Sequence, residues 1–278
     1  MRSVDPGTSY RSWREVARAL IAEGTPPNEI LWEADVGLFG PASPSALPSP
    51  HSFTVPKEFL ELAENVACHH EPTRWALLYQ LLWRITHGRE RHLLAIASDA
   101  AVARARMLEK NVRREIHKMH AFVRFRLVEV AGDAANERER YVAWFEPDHF
   151  IVEAGTPFFR KRFANMDWSI FTPKGCAHWD GTSLTFTLGI AQNPIENADA
   201  LEAAWRTYYR SIFNPARLKV KAMQAEMPKR YWKNLPEADL ISELIGGSTE
   251  RTSEMLATPL RPAKPQPKNA YLDRLKKL

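Results

Sequence analysis

At Ala121 the hydrophobic period of this chain changes from that of a helix to that of a strand, and this sets the order of its layers. Upstream, Glu71 to His87 places Trp75, Leu78, Leu82 and Ile85 on one stripe, with Leu81 and Trp83 flanking it. Ser98 to His117 continues as a long, basic, amphipathic helix. Downstream, "HAFVRFRLVEV" alternates Phe122, Arg124 and Arg126 against Val123, Phe125 and Leu127, the period-2 pattern of a strand. The polar turn "AGDAANERER" and the strand "RYVAWFEP" complete a hairpin. "DHFIVEAGTPFFRKRFAN" reads as partly helical, interrupted by Gly155 and Pro157. "DWSIFTPKG", "CAHWDG" and "SLTFTL" then form a meander, with turns at Pro173–Gly175 and Asp180–Gly181. Helices are expected over Ala198 to Phe213, Ala216 to Glu226 and Glu237 to Ile245. Helices, then strands, then helices make an α+β fold: a largely antiparallel sheet over about residues 121–188, flanked by N-terminal and C-terminal helices.

At the N-terminus, Tyr10 to Glu23 has helical spacing and is stopped by Gly24 and Pro26-Pro27. "EILWEADVGLFG" fits a strand or a turn. Pro41 to Pro50 reads as a mobile Pro/Ser loop, and Pro56 to Val66 as a helix with proline in its first turn. The expected organisation is a single α+β domain over 1–246, followed by a basic, flexible linker or tail over 247–278. There is no run of about 18 apolar residues, which argues against a membrane span. The first residues lack the apolar core of a signal peptide. The two cysteines, Cys68 and Cys176, do not make a disulfide scaffold, and a cytoplasmic location is expected.

The net charge is +5 and the pI about 9.2, so the placement of charge matters more than its total. Arg104 to Arg126 holds eight Lys/Arg against Glu109 and Glu115. Leu201 to Lys233 holds eight against Glu202 and Glu226. Two such stretches on one face would form the electrostatic footprint of a nucleic-acid binder. Helices with solvated Lys/Arg have the same composition without that role.

Glycine-rich nucleotide loops and G-x-S-x-G are absent. Glu146-Pro-Asp148-His149 lies where a strand hands over to a helix. There Asp148 can orient His149 while Glu146 acts as a base, an acid–base catalytic set. The plainer reading makes Asp148 a helix cap. His117 and His120 share a helix face, and Cys68, His69 and His70 form a second donor group, but a metal needs further convergent ligands. No cofactor is therefore predicted, and a metal at His117/His120 is not favoured. "FFRKRF" mixes aromatics with Arg160, Lys161 and Arg162. "MPKRYW" packs Lys229, Arg230, Tyr231 and Trp232 into a turn between Pro228 and Pro236. Arginine binds phosphate bidentately, and exposed aromatics stack on bases. A packed corner accounts for the same residues without a ligand.

Taken in order, "IHKMHAFVRFR", "WFEPDHFIVEAGTPFFRKRFANMDWSI", "HWDG" and "FNPARLKVKAMQAEMPKRYWKNLPEADLI" resemble a bacterial DNA metabolism and repair protein family. Its members are found beside a radical-SAM DNA repair protein. The same domain of unknown function also occurs fused N-terminal to a UdgX-type uracil-DNA glycosylase. The resemblance spans about Tyr10 to Gly246. It implies DNA as a partner, single-stranded or damaged, together with a glycosylase or radical-SAM repair enzyme, and no membrane. It supplies no reaction that can be carried over residue by residue, and no glycosylase motif is present.

The leading expectation is a DNA-binding accessory or repair domain that contacts DNA through Arg113, Arg114, Arg124, Arg160, Arg162, Lys229, Arg230, Tyr231 and Trp232. One alternative is an enzyme on damaged or modified DNA that uses Glu146, Asp148 and His149. The other is a protein-interaction module without DNA contact.

Overall fold

Ser9 opens the first helix, α1 (Tyr10–Glu23), through a capping box in which its hydroxyl accepts from Ser12 N–H. Gly24 closes it in the left-handed conformation, φ 71°. This computed structural model describes residues 1–33, 53–128, 139–193, 214, 219–235 and 238–257. The expected loop at 41–50, the helix over 198–213 and the residues beyond 257 lie outside the described residues. The chain divides into two compact units, Met1–Leu201 and Glu202–Leu278, so the division falls inside the region expected to be one domain.

In the first unit, helices α2 (Lys57–Ala67) and α3 (Arg74–Thr86) pack on α1, and α4 (Ala100–Phe122) packs on α2 and α3. The α3 stripe is buried as its spacing predicts, and Trp75 stacks on Trp13 with ring centres 6.0 Å apart. Asp99 caps α4 by accepting from Ala101 and Val102 N–H, and its other oxygen pairs with Arg84 of α3 at 2.8 Å. A small parallel pair joins β1 (Arg2–Val4) to β2 (Ile30–Trp32). Three residues at the N-terminus carry too little periodicity to announce β1.

The five-stranded sheet has the order β3 (Arg126–Val128), β4 (Arg140–Trp144), β5 (Asp167–Phe171), β6 (Cys176–Trp179), β7 (Leu184–Thr187). Every pairing is antiparallel except β4 with β5. That pair is parallel because α5 (Val152–Arg162) carries the chain between them as a crossover. Helices on either side in sequence and a mostly antiparallel sheet make the α+β class.

Three boundaries differ from the sequence pattern. Helix α4 runs on to Phe122, because Met119 and Phe122 continue its buried stripe, so strand structure starts only at Arg126. Helix α5 passes through Gly155 and Pro157 without a break. Gly155 is needed for close packing: a Cβ there would lie 2.8 Å from Met119 Sδ of α4. In the second unit α6 (Val220–Glu226) and α7 (Ala238–Gly246) are followed by α8 (Ser248–Ala257), within the stretch expected to be a linker. The prolines that suggested a linker start only at Pro259, and Arg251 pairs back to Glu243 at 3.7 Å. Among the described residues, no helix is long and apolar enough to cross a membrane.

Candidate functional site

Two turns of the first unit meet at a cluster of imidazoles. The first, Cys68 to Thr73, joins α2 to α3. Buried Arg74 shapes it, donating Nε to Ala67 O at 3.0 Å and Nη1 to Glu71 O at 2.9 Å. The second follows β4 and contains Glu146-Pro147-Asp148-His149. Its backbone is held by Glu115, a carboxylate of α4 that is only 3% exposed. Glu115 Oε1 accepts Asp148 N–H and Oε2 accepts His149 N–H, both at 2.8 Å. Phe150 N–H donates to Cys68 O at 2.8 Å and fastens one turn to the other.

His69 (4% exposed) and His149 (7%) are buried here, while His70 is exposed. His70 Nδ1 and His149 Nδ1 are 2.9 Å apart, and one donor nitrogen from each of the three rings lies within 4.8 Å of the others. The His70 and His149 ring centres are 4.9 Å apart with planes 11° from parallel. The 2.9 Å gap takes up most of that distance, so the rings lie edge to edge and share one proton. His149 Nδ1 also receives His70 N–H at 3.4 Å, which makes it the acceptor and His70 Nδ1 the donor. His69 Nδ1 accepts Glu71 N–H at 3.1 Å. Burial, then the neighbouring His149 and His70, push His69 down to about 4. Burial, then His70 and Lys174, push His149 down to about 4. Both rings are therefore neutral near pH 7. Burial raises the Cys68 thiol to about 11, which leaves it un-ionised beside them.

The structure places the other candidates as follows. Glu146 accepts Trp144 Nε1–H at 2.8 Å, so its carboxylate is tied to the end of β4. Asp148 is exposed, and α5 starts at Val152 without a side-chain cap, so Asp148 does not cap it. His120 Nε2 donates to Gly155 O at 2.9 Å, which gives it a structural partner on α5 and sets it apart from exposed His117. Trp144 of β4 and Trp168 of β5, aromatics on the strands, are buried in the core and offer no stacking face. In the second unit, "KRYWKN" is a 3-10 turn over Lys229–Asn234. Tyr231 is 2% exposed, with the Arg230 guanidinium 4.6 Å from its ring centre, and Trp232 Nε1 donates to Met227 O. Lys229 and Arg230 are themselves exposed.

A second feature is the outer face of α4 and α5. Two cations of the N-terminal half of α4 are neutralised: Arg104 pairs with Glu71, and Arg106 with Glu58 and Glu109. Arg113 and Arg114, farther along, are exposed and form no ion pair among the described residues. Arg113, His117 and His120 follow one another at helical spacing, and the His120 ring stacks on Phe158 of α5 at 4.2 Å. Phe158 is 41% exposed. Lys161 and Arg162 lie three and four residues beyond it on the same face, with Arg160 beside them, all exposed and without ion pairs among the described residues. Arg124 sits at the end of α4 and donates to Ala121 O and Val123 O. Exposed Arg160, Lys161 and Arg162 thus follow Phe158 on α5, and exposed Arg113 precedes His120 by two turns on α4.

The profile of a family described as a domain of unknown function, DUF4130, matches residues 72–237. This chain belongs to that family. No curated protein and no solved structure matches it. The DUF4130 match takes in Glu115, His149 and the whole α4–α5 face, and it begins just after His70. One site residue, Glu115, escaped the sequence pattern, and so did one long-range contact. Glu115 falls on the buried α4 stripe of Leu108, Val112 and Met119, where a carboxylate must have partners, and that position was the available signal. Nothing local in the sequence joins His69 and His70 to His149, because the fold alone brings them together.

Proposed function

We propose that this DUF4130 domain binds DNA, single-stranded or damaged, through the α4–α5 face, as an accessory to a DNA repair enzyme such as a uracil-DNA glycosylase or a radical-SAM protein. The observation that carries the reading is the set of exposed cations without ion pairs among the described residues, Arg113 and Arg114 on α4 and Lys161 and Arg162 on α5, on the two helices that meet at His120 and exposed Phe158. Cations track a phosphate backbone, while an aromatic face offers sequence-tolerant stacking to an unpaired base. Burial holds His120 below its ordinary range, so Phe158 is backed by a neutral ring and not by another charge. The repair partner comes from the resemblance of the sequence motifs, and cytoplasmic residence belongs to the same proposal.

Fluorescence anisotropy with a labelled single strand at low salt tests this. The triple variant Arg113→Glu/Arg114→Glu/Arg162→Glu is expected to lose about 100-fold or more in affinity with an unchanged melting temperature, since all three side chains are exposed. Phe158→Ala is expected to weaken single-strand binding by about 1–3 kcal/mol and duplex binding less. Unchanged affinity in the triple variant would remove this face from the interface.

A further inference from the structure

We infer that His69, His70 and His149 form a binding site for one divalent transition-metal ion of the zinc class, with an open position for water or an anionic oxygen. The inference does not depend on the nucleic-acid reading. It starts from the ligand set: three imidazoles on two separate turns converge until their donor atoms lie within 4.8 Å of one another. Imidazole suits zinc and its first-row neighbours, and three protein ligands with a free fourth position is the arrangement of catalytic zinc. Calcium and magnesium prefer oxygen, and this set has none.

His70 and His149 need little movement, whereas the His69 ring, whose centre lies 4.7 Å from that of His70 and 4.2 Å from that of His149 with its plane 22° and 33° from theirs, turns to aim a nitrogen at the ion. Tetrahedral bonds of about 2.0–2.1 Å to zinc hold two nitrogens about 3.3–3.4 Å apart. His70 Nδ1 and His149 Nδ1 are 2.9 Å apart, so the ion replaces the proton between them while the rings part slightly. The proton of His70 Nδ1 moves to its own Nε2, on the exposed ring. His69 gives up the hydrogen bond from Glu71 N–H to its Nδ1 in adopting either ligating tautomer. The net loss of one hydrogen bond is small against the binding free energy of a zinc site.

The supporting shell is already built. Glu115 fixes the backbone of His149, Arg74 fixes the turn that holds His69 and His70, and Phe150 N–H to Cys68 O locks the two turns together. Such outer contacts orient ligands and retain affinity. Three neutral ligands bring no charge to the ion, and the nearby carboxylates are already engaged, Glu71 by Arg104 and Glu115 by two backbone N–H groups. Lys174, whose Nζ lies 4.8 Å from the Phe150 ring centre, adds a further positive charge felt by His149. An anionic oxygen is therefore the fourth ligand favoured by charge.

The test uses the full, untagged chain after chelation, titrated with Co²⁺ alone and followed by visible absorption. The expected result is one ion per chain, with the intense bands of four-coordinate Co²⁺, displaced by Zn²⁺ and unaffected by excess Mg²⁺. His70→Ala and His149→Ala are each expected to weaken binding about 100-fold or more, and His117→Ala to leave it unchanged. His70 is exposed, so its variant reads the site even if His149→Ala fails to fold. Absence of Co²⁺ binding, or one-ion binding that survives His70→Ala unchanged, would overturn the inference and leave the cluster as a proton-sharing packing unit.

Discussion

Glu115→Ala is expected to destabilise the protein by about 3–5 kcal/mol, a fall of roughly 10 °C in melting temperature at this size. The carboxylate is buried and accepts two backbone N–H groups at 2.8 Å. Its removal leaves the donors of Asp148 and His149 without their acceptors, and such loss costs about 1–3 kcal/mol for each buried group. Glu115→Gln is expected to lose less, because one oxygen still accepts while the amide nitrogen faces the other N–H. Thermal denaturation of the two variants gives the ranking directly. A loss below about 1 kcal/mol in Glu115→Ala would mean that the turn holds its shape without α4.

The metal-free protein is expected to lose stability between pH 6.5 and pH 4, on the order of 3 kcal/mol from the buried histidines. His69 and His149 are both held down to about 4, while an unfolded histidine titrates near 6.5. In that interval the unfolded chain binds more protons than the folded one, so stability rises with pH. It is complete above 6.5 and is lost as pH falls toward 4. The charges facing His69 are His149, His70, Glu71 and Arg74, and those facing His149 are His70 and Lys174. His120 and His178, also lowered by burial, add in the same direction. Glu71, held low by Arg104, and Asp99, held low by Arg84, contribute only at lower pH. Urea unfolding in chelator at pH 7 and pH 5 measures the slope, and His149→Gln is expected to flatten it. Equal stability at the two pH values would contradict the burial of these rings as neutral groups.

Much of the fold is legible in local pattern. The α3 stripe, the strands β4 to β7 and the stop at Gly24 each follow from periodicity or turn chemistry. The end of α4 is not, because Phe122 and Val123 satisfy both periods and only packing decides between them. Nor is the parallel β4–β5 pairing, which depends on α5 surviving Gly155 and Pro157. The site divides along the same line. His149 and the basic segments stand out by residue type. The joining of His149 to His69 and His70 is a long-range contact with no periodic trace. Tyr231 illustrates the reverse: an aromatic among cations reads as a stacking surface, yet its ring is buried within the turn.

The most direct test of nucleic-acid binding at the α4–α5 face is the salt dependence of single-strand affinity, for the natural chain and for Arg113→Ala/Arg114→Ala. Four phosphate contacts, from Arg113, Arg114, Lys161 and Arg162, give a slope of log K against log salt of about −3, since each contributes about −0.7 on a single strand. The double variant should be shallower by about 1.4. A flat slope, or one that the double variant leaves unchanged, would contradict the account.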